Sequence, residues 1–108
     1  ALVRQGDAAR KIPACVACHG DALTGVMPAI PGLLGLPRDY LIGQLGAWQT
    51  GLRHAHAPDC MAQIALGLTP DDVSALATWL SSQVLPANTH PAPPSTRTLP
   101  LRCGSAQP

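Results

Sequence analysis

One stretch constrains this chain more than any other: Cys15-Val16-Ala17-Cys18-His19. Two thiols three positions apart on one helical turn can reach the two vinyl groups on one edge of a porphyrin and form a thioether with each. The next residue, His19, then lies under the ring and offers an imidazole nitrogen to the iron. C-x-x-C-H is the attachment signature of a c-type haem. At this content of Cys and His, chance placement would give the pattern only about 0.005 times per chain. Two other uses of the thiols fit less well. A thioredoxin-type pair needs a βαβ context, and no such alternation is present. A zinc site needs a second close ligand pair, whereas Cys60 and Cys103 stand far apart.

Composition agrees with a cofactor-filled core. The length of 108 residues suits one domain, and there is no Phe, with 1 Tyr and 2 Trp. A small domain so poor in aromatics lacks apolar bulk that a buried haem would supply. The formal charge is +1, Lys11 is the lone lysine, and no basic run occurs, so nucleic acid is not indicated. No apolar stretch reaches the ~18 residues of a membrane span. Haem c is attached on the oxidising side of a bacterial membrane, so a periplasmic location and a removed leader are expected.

Periodicity predicts helices and no sheet. Ala8, Ala9 and Ile12 share a face, which suggests a short helix over 5–12 that Pro13 ends. Residues 20–36 are rich in Gly and Pro and read as an ordered loop. Pro37 suits the first position of a helix running to Thr50, with Gly51 as a left-handed cap. Gln44 within it reads as solvated. Asp59 is a candidate cap for a short helix from Met61 to Leu66, closed by Gly67. Thr69-Pro70-Asp71-Asp72 is a strong helix start, combining a capping hydroxyl, Pro at N1 and two carboxylates at the positive end of the dipole. Val73, Leu76, Ala77, Leu80 and Val84 mark its buried stripe, and Trp79 its edge. From residue 86 the texture changes to Pro86, Pro91, Pro93, Pro94, Pro100 and Pro108 without helical period. The expected organisation is a haem domain over 1–85 and an extended Pro-rich tail or linker over 86–108.

With these pieces in place the chain resembles the class I c-type cytochromes, most closely bacterial mono- or dihaem proteins of the cytochrome c4 kind. The resemblance covers roughly residues 5–83. It rests on Gly6 ahead of Cys-x-x-Cys-His-Gly, Pro28-Ala-Ile-Pro-Gly-Leu, Tyr40-Leu-Ile-Gly-Gln-Leu, Gly51-Leu-Arg53, the Met61 segment and Leu-Thr-Pro-Asp-Asp-Val-x-Ala-Leu-Ala-x-Trp-Leu. It implies an all-α, single-haem domain of about four short helices. It also implies one haem held by Cys15 and Cys18, with His19 as proximal ligand and Met61 as distal ligand. Pro28 matches a proline whose carbonyl accepts the other imidazole N–H. Arg53 matches a basic position that pairs with a propionate, and Gly6 and Trp79 match a crossing of the first and last helices.

The residues themselves leave several candidates for the sixth ligand: Met27, Met61, His54, His56 and His90. A thioether favours ferrous iron and raises the potential. Met27 sits in the loop near His19 and reads as core filler. His54 and His56 read as loop residues or propionate neighbours, and His90 as part of the exposed tail. Met61 is preferred on placement as much as on residue type.

The expected function is outer-sphere electron transfer between Fe(II) and Fe(III), with a dehydrogenase or oxidase as redox partner. The alternative is a haem enzyme or gas sensor whose sixth site is open or labile. Cys60 and Cys103 depart from the family pattern. As an even pair in an oxidising compartment they are expected to form a disulfide.

Overall fold

Helices and turns carry the whole architecture in the computed structural model, which describes residues 2–55, 57–94, 99–101 and 103–104. Along the chain lie α1 (Leu2–Gln5), a 3-10 turn (Ala8–Arg10), α2 (Val16–His19), α3 (Arg38–Thr50), α4 (Cys60–Leu66) and α5 (Pro70–Ser82). Among the described residues there is no strand, only isolated bridges. No helix there is long and apolar enough to cross a membrane.

The helix predicted over 5–12 is replaced by α1 and the 3-10 turn, with Gly6 between them. Gly6 has φ +65°, and a Cβ there would strike the backbone of Ile12 and come within 2.6 Å of the Ala14 nitrogen. A continuous helix is therefore impossible: the chain turns back at Gly6, and Asp7 and Ile12 pair across the turn. The close approach that needs glycine is to the Ile12–Ala14 backbone, not to α5. Contact between the first and last helices includes Arg4, whose guanidinium lies over the Trp79 ring at 5.7 Å.

α3 packs on both α4 and α5. Pro37 stands at its N-cap rather than inside the first turn, and Gly51 caps its end at φ +79°. α5 starts with a capping box: the Thr69 hydroxyl accepts from the Asp72 N–H, and the Asp72 carboxylate accepts from the Thr69 N–H. Val73, Leu76, Ala77 and Leu80 turn inward to meet Val3, Ile12, Leu23, Leu41 and Leu68. Each large side chain buried this way contributes roughly 1.5–3 kcal/mol. Val84 does not join them. The helix stops at Ser82, Gln83 is extended, and Val84 is 91% exposed.

Polar side chains tie these elements together. Arg38 donates to Thr78 Oγ1 (2.9 Å) and Ser74 Oγ (2.8 Å), joining α3 to α5. Gln49 Nε2 donates to the Ala65 carbonyl in the last turn of α4 and to the Leu68 carbonyl just after it (2.8 and 3.2 Å), satisfying acceptors at the helix end. Arg10 pairs with Asp72 and donates to the Gly67 carbonyl, fixing the N-terminal segment to the start of α5.

The Pro-rich C-terminal stretch returns to the body of the domain. Ala92 runs parallel to Val26, donating to the Gly25 carbonyl (2.9 Å) and accepting from the Met27 N–H (2.8 Å). Cys103 is 5% exposed and forms a disulfide with Cys60, across a sequence separation of 43. Closing a loop of that length stabilises by about 4 kcal/mol in the chain-entropy model.

Candidate functional site

The signature residues form a single turn. The Cys15 carbonyl accepts from the Cys18 N–H (3.2 Å) and the His19 N–H (2.9 Å). Cys15, Cys18 and His19 all face one cavity of about 610 Å³, within the roughly 300–1,000 Å³ usual for cofactor pockets. Burial pushes the Cys15 and Cys18 thiols up. Thiols used for exchange or nucleophilic attack are shifted the other way.

His19 is 6% exposed, and its Nδ1 lies 2.7 Å from the Pro31 carbonyl oxygen. A carbonyl can only accept, so Nδ1 carries the proton and Nε2 keeps a free lone pair. Burial lowers the imidazole pKa and the Pro31 contact opposes this only in part. The ring is held neutral, the form that binds a metal.

The acceptor corrects the sequence expectation, which gave this bond to Pro28. Val26 and Ile30 exchange two backbone hydrogen bonds (2.9 and 3.0 Å) and so close a turn with Pro28 at its tip. Pro28 does not reach the cavity. The chain comes back to the ring three residues later, at Pro31. Gly25 makes the turn possible. It has φ +91°, donates to the His19 carbonyl (3.0 Å), and would bring a Cβ to 2.8 Å from the Gly32 nitrogen.

Met61 lines the same cavity from the first turn of α4. Asp59 organises that turn. Its carboxylate accepts from the Ala62 N–H (3.0 Å) and from the Ala55 N–H (2.8 Å). Burial alone would raise the Asp59 pKa, but these two N–H groups, with Trp48 and His54, hold it below the ordinary value. His54 also lines the cavity. Met27 is 51% exposed and does not, and His90 is exposed. His56 lies outside the described residues.

The polar end of the cavity is built by α3 and the turn after it. Leu52 and Arg53 both donate their N–H groups to the Ala47 carbonyl (2.8 and 3.1 Å), which folds Arg53 back over the Trp48 ring at 4.1 Å. The Arg53 guanidinium donates to Gln44 Oε1. Gln44 is thus not a solvated residue but the support of a cavity-lining cation. Trp48 Nε1 is buried with no hydrogen bond of normal geometry, though it bears on the Asp59 carboxylate. Sequence reasoning missed Trp48 here. The available signal was a tryptophan four positions after Gln44, followed by arginine just past a glycine-capped helix end.

These residues fit a haem. The cavity holds two thiols and a neutral imidazole with a free nitrogen. It also holds a thioether, an apolar lining that includes Leu33, Leu41 and Leu68, and a cation beside an unpartnered indole N–H. The Arg53 guanidinium, held on the Trp48 ring, suits a carboxylate.

No protein-family model matches the chain. It is 38% identical over 81 residues to the cytochrome c-554(548) of Halomonas halodenitrificans, covering 72% of this chain and 98% of that protein. It is 41% identical over 81 residues to the thiosulfate dehydrogenase electron acceptor of Stutzerimonas stutzeri, covering 75% of this chain and 38% of that one. The chain therefore spans about two fifths of the length of that relative. Among solved structures, a thiosulfate dehydrogenase from Marichromatium purpuratum superposes with a TM-score of 0.73 at 40% identity, over 78% of this chain and 18% of that one. The cytochrome c4 of Acidithiobacillus ferrooxidans gives 0.67 at 35% identity, over 76% and 45%.

Proposed function

The chain belongs to the class I c-type cytochromes, and from that premise we propose that it carries single electrons in the periplasm through one covalently held haem. Cys15 and Cys18 would hold the haem by thioether bonds, and His19 Nε2 and the Met61 thioether would ligate its iron. Arg53 and Trp48 Nε1 would meet its propionates. When bound, the haem supplies a one-electron Fe(II)/Fe(III) couple. The protein's part is to set the conditions for that couple. Pro31 fixes the His19 ring and makes it a stronger donor. Met61 favours the ferrous state. The apolar lining would keep water away, and with His19 and Met61 both serving as ligands no substrate would bind the metal.

The observation that carries this reading is the His19–Pro31 hydrogen bond within the Cys15–His19 turn. It leaves one imidazole nitrogen free in a cavity that Met61 also lines. The redox partner is proposed from the relatives, of which one is named an electron acceptor for thiosulfate dehydrogenase.

The test uses holoprotein made with haem-maturation machinery and mixed with thiosulfate and a catalytic amount of a thiosulfate dehydrogenase. Reduction of one equivalent per chain, followed by the ferrous absorption bands, is expected. Reversible reduction by dithionite without reduction by the dehydrogenase would remove the partner but keep the carrier. Failure of both would remove the carrier.

A further inference from the structure

α4 is poorly held by its own packing at the end where Met61 sits. The helix has seven residues and a single buried one, Ala65, near its C-terminus. Cys60, Met61 and Ala62 are only partly buried. A helix this short is not stable by itself, so something outside it must fix its first turn. Two devices do so. Asp59 takes the Ala55 and Ala62 N–H groups on its carboxylate. The C-terminal segment brackets the same turn: Gly104 N–H donates to the Pro58 carbonyl (2.9 Å), and Cys103 bonds covalently to Cys60, the residue before Met61. Cys103 is itself buried and lines the cavity.

We propose that Cys103, acting through its bond to Cys60, is a positioning residue for Met61 that keeps the distal side of the cavity closed. This rests on the reading of Met61 as the axial thioether. A sulfur bridge one residue from the ligand, buried at its Cys103 end, restricts the backbone on which Met61 swings. With the bridge cut, Asp59 and Gly104 remain, so the fold persists, but the first turn of α4 gains freedom and the fraction of molecules with Met61 withdrawn rises. A small exogenous ligand binds only that fraction, so its binding rate reports the population directly.

The experiment compares ferrous holoprotein of wild type and Cys103→Ser in carbon monoxide binding, alongside the near-infrared methionine–iron band of the ferric forms and helical content by circular dichroism. Carbon monoxide binding faster by about tenfold or more in Cys103→Ser, at unchanged helical content, is the expected result. Should the variant fail to fold, the wild-type holoprotein is measured before and after treatment with a dithiol reductant. The reductant gives two electrons and two protons to the Cys60–Cys103 bond and is itself oxidised to a disulfide, while the thioethers persist. Faster binding after treatment, reversed on reoxidation, supports the proposal. A rate within about twofold of wild type in whichever comparison is available overturns it and leaves Met61 as ligand. Absence of the near-infrared band from untreated wild type overturns the ligand reading and this inference with it.

Discussion

His19 Nδ1 and the Pro31 carbonyl oxygen are 2.7 Å apart, and that contact sets both the tautomer and the orientation of the imidazole. It exists because Gly25 lets the 25–32 loop close tightly. Gly25→Ala would place a Cβ 2.5 Å from the Ile30 oxygen and 2.8 Å from the Pro31 carbonyl carbon, in a backbone region disfavoured for L-residues. The expected cost is about 1–3 kcal/mol of stability. The reduction potential is expected to rise, because a His19 that loses its acceptor donates less to the iron. Thermal unfolding and a potentiometric titration of the holoprotein check the two effects separately.

Met61 is tested by two substitutions with different outcomes. Met61→His keeps a sixth ligand but loses the thioether's preference for ferrous iron, so the potential falls while the spectrum stays low-spin. Met61→Ala opens the position to cyanide or imidazole. If Met61→Ala keeps the wild-type spectrum and potential, the ligand is another residue, and His54, which also lines the cavity, is the first to examine.

Acid sensitivity is expected to concentrate at Asp72. Hydrogen bonding to Arg10, then the Thr69 N–H and hydroxyl, pulls its carboxyl down to about 2 from an ordinary 3.8. A carboxylate depressed on folding stabilises fully above its unfolded value, and that contribution disappears as pH falls towards the folded one. The link between the N-terminal segment and α5 therefore weakens between about pH 4 and pH 2. Asp72→Asn removes this dependence: its Tm is lower than wild type near neutrality, and the two converge in acid. The pair is at the surface, so the effect is modest and shrinks with added salt.

Much of this was legible in the residues, and the remainder has physical reasons. The Cys15–His19 turn and the Thr69–Asp72 cap are local devices, complete within four or five residues, so the sequence displays them. Gly51 ends α3 for the same kind of reason. The Cys60–Cys103 bridge was legible too, as an even pair left over in an oxidising compartment; other features decided by a distant partner were not. The periodicity of Ala8, Ala9 and Ile12 suggested a helix, but Gly6 at φ +65° folds that segment back on Ile12–Ala14. Pro28 and Pro31 are equally plausible acceptors in a string of letters, and the Val26–Ile30 turn decides between them. Gln44 looked solvated because Arg53, nine positions on, is carried back to it only by the turn after α3. Proline content marked the C-terminal stretch as extended. It gave no sign that Ala92 would pair beside Val26.

One haem held by two thioethers leaves its mark on the mass of the intact protein. Protein expressed with haem-maturation machinery is unfolded, reduced and treated with an alkylating agent before mass spectrometry. The expected mass is that of the polypeptide plus one haem, with alkylation at Cys60 and Cys103 and none at Cys15 or Cys18. A mass equal to the bare polypeptide, with all four cysteines alkylated, would contradict it.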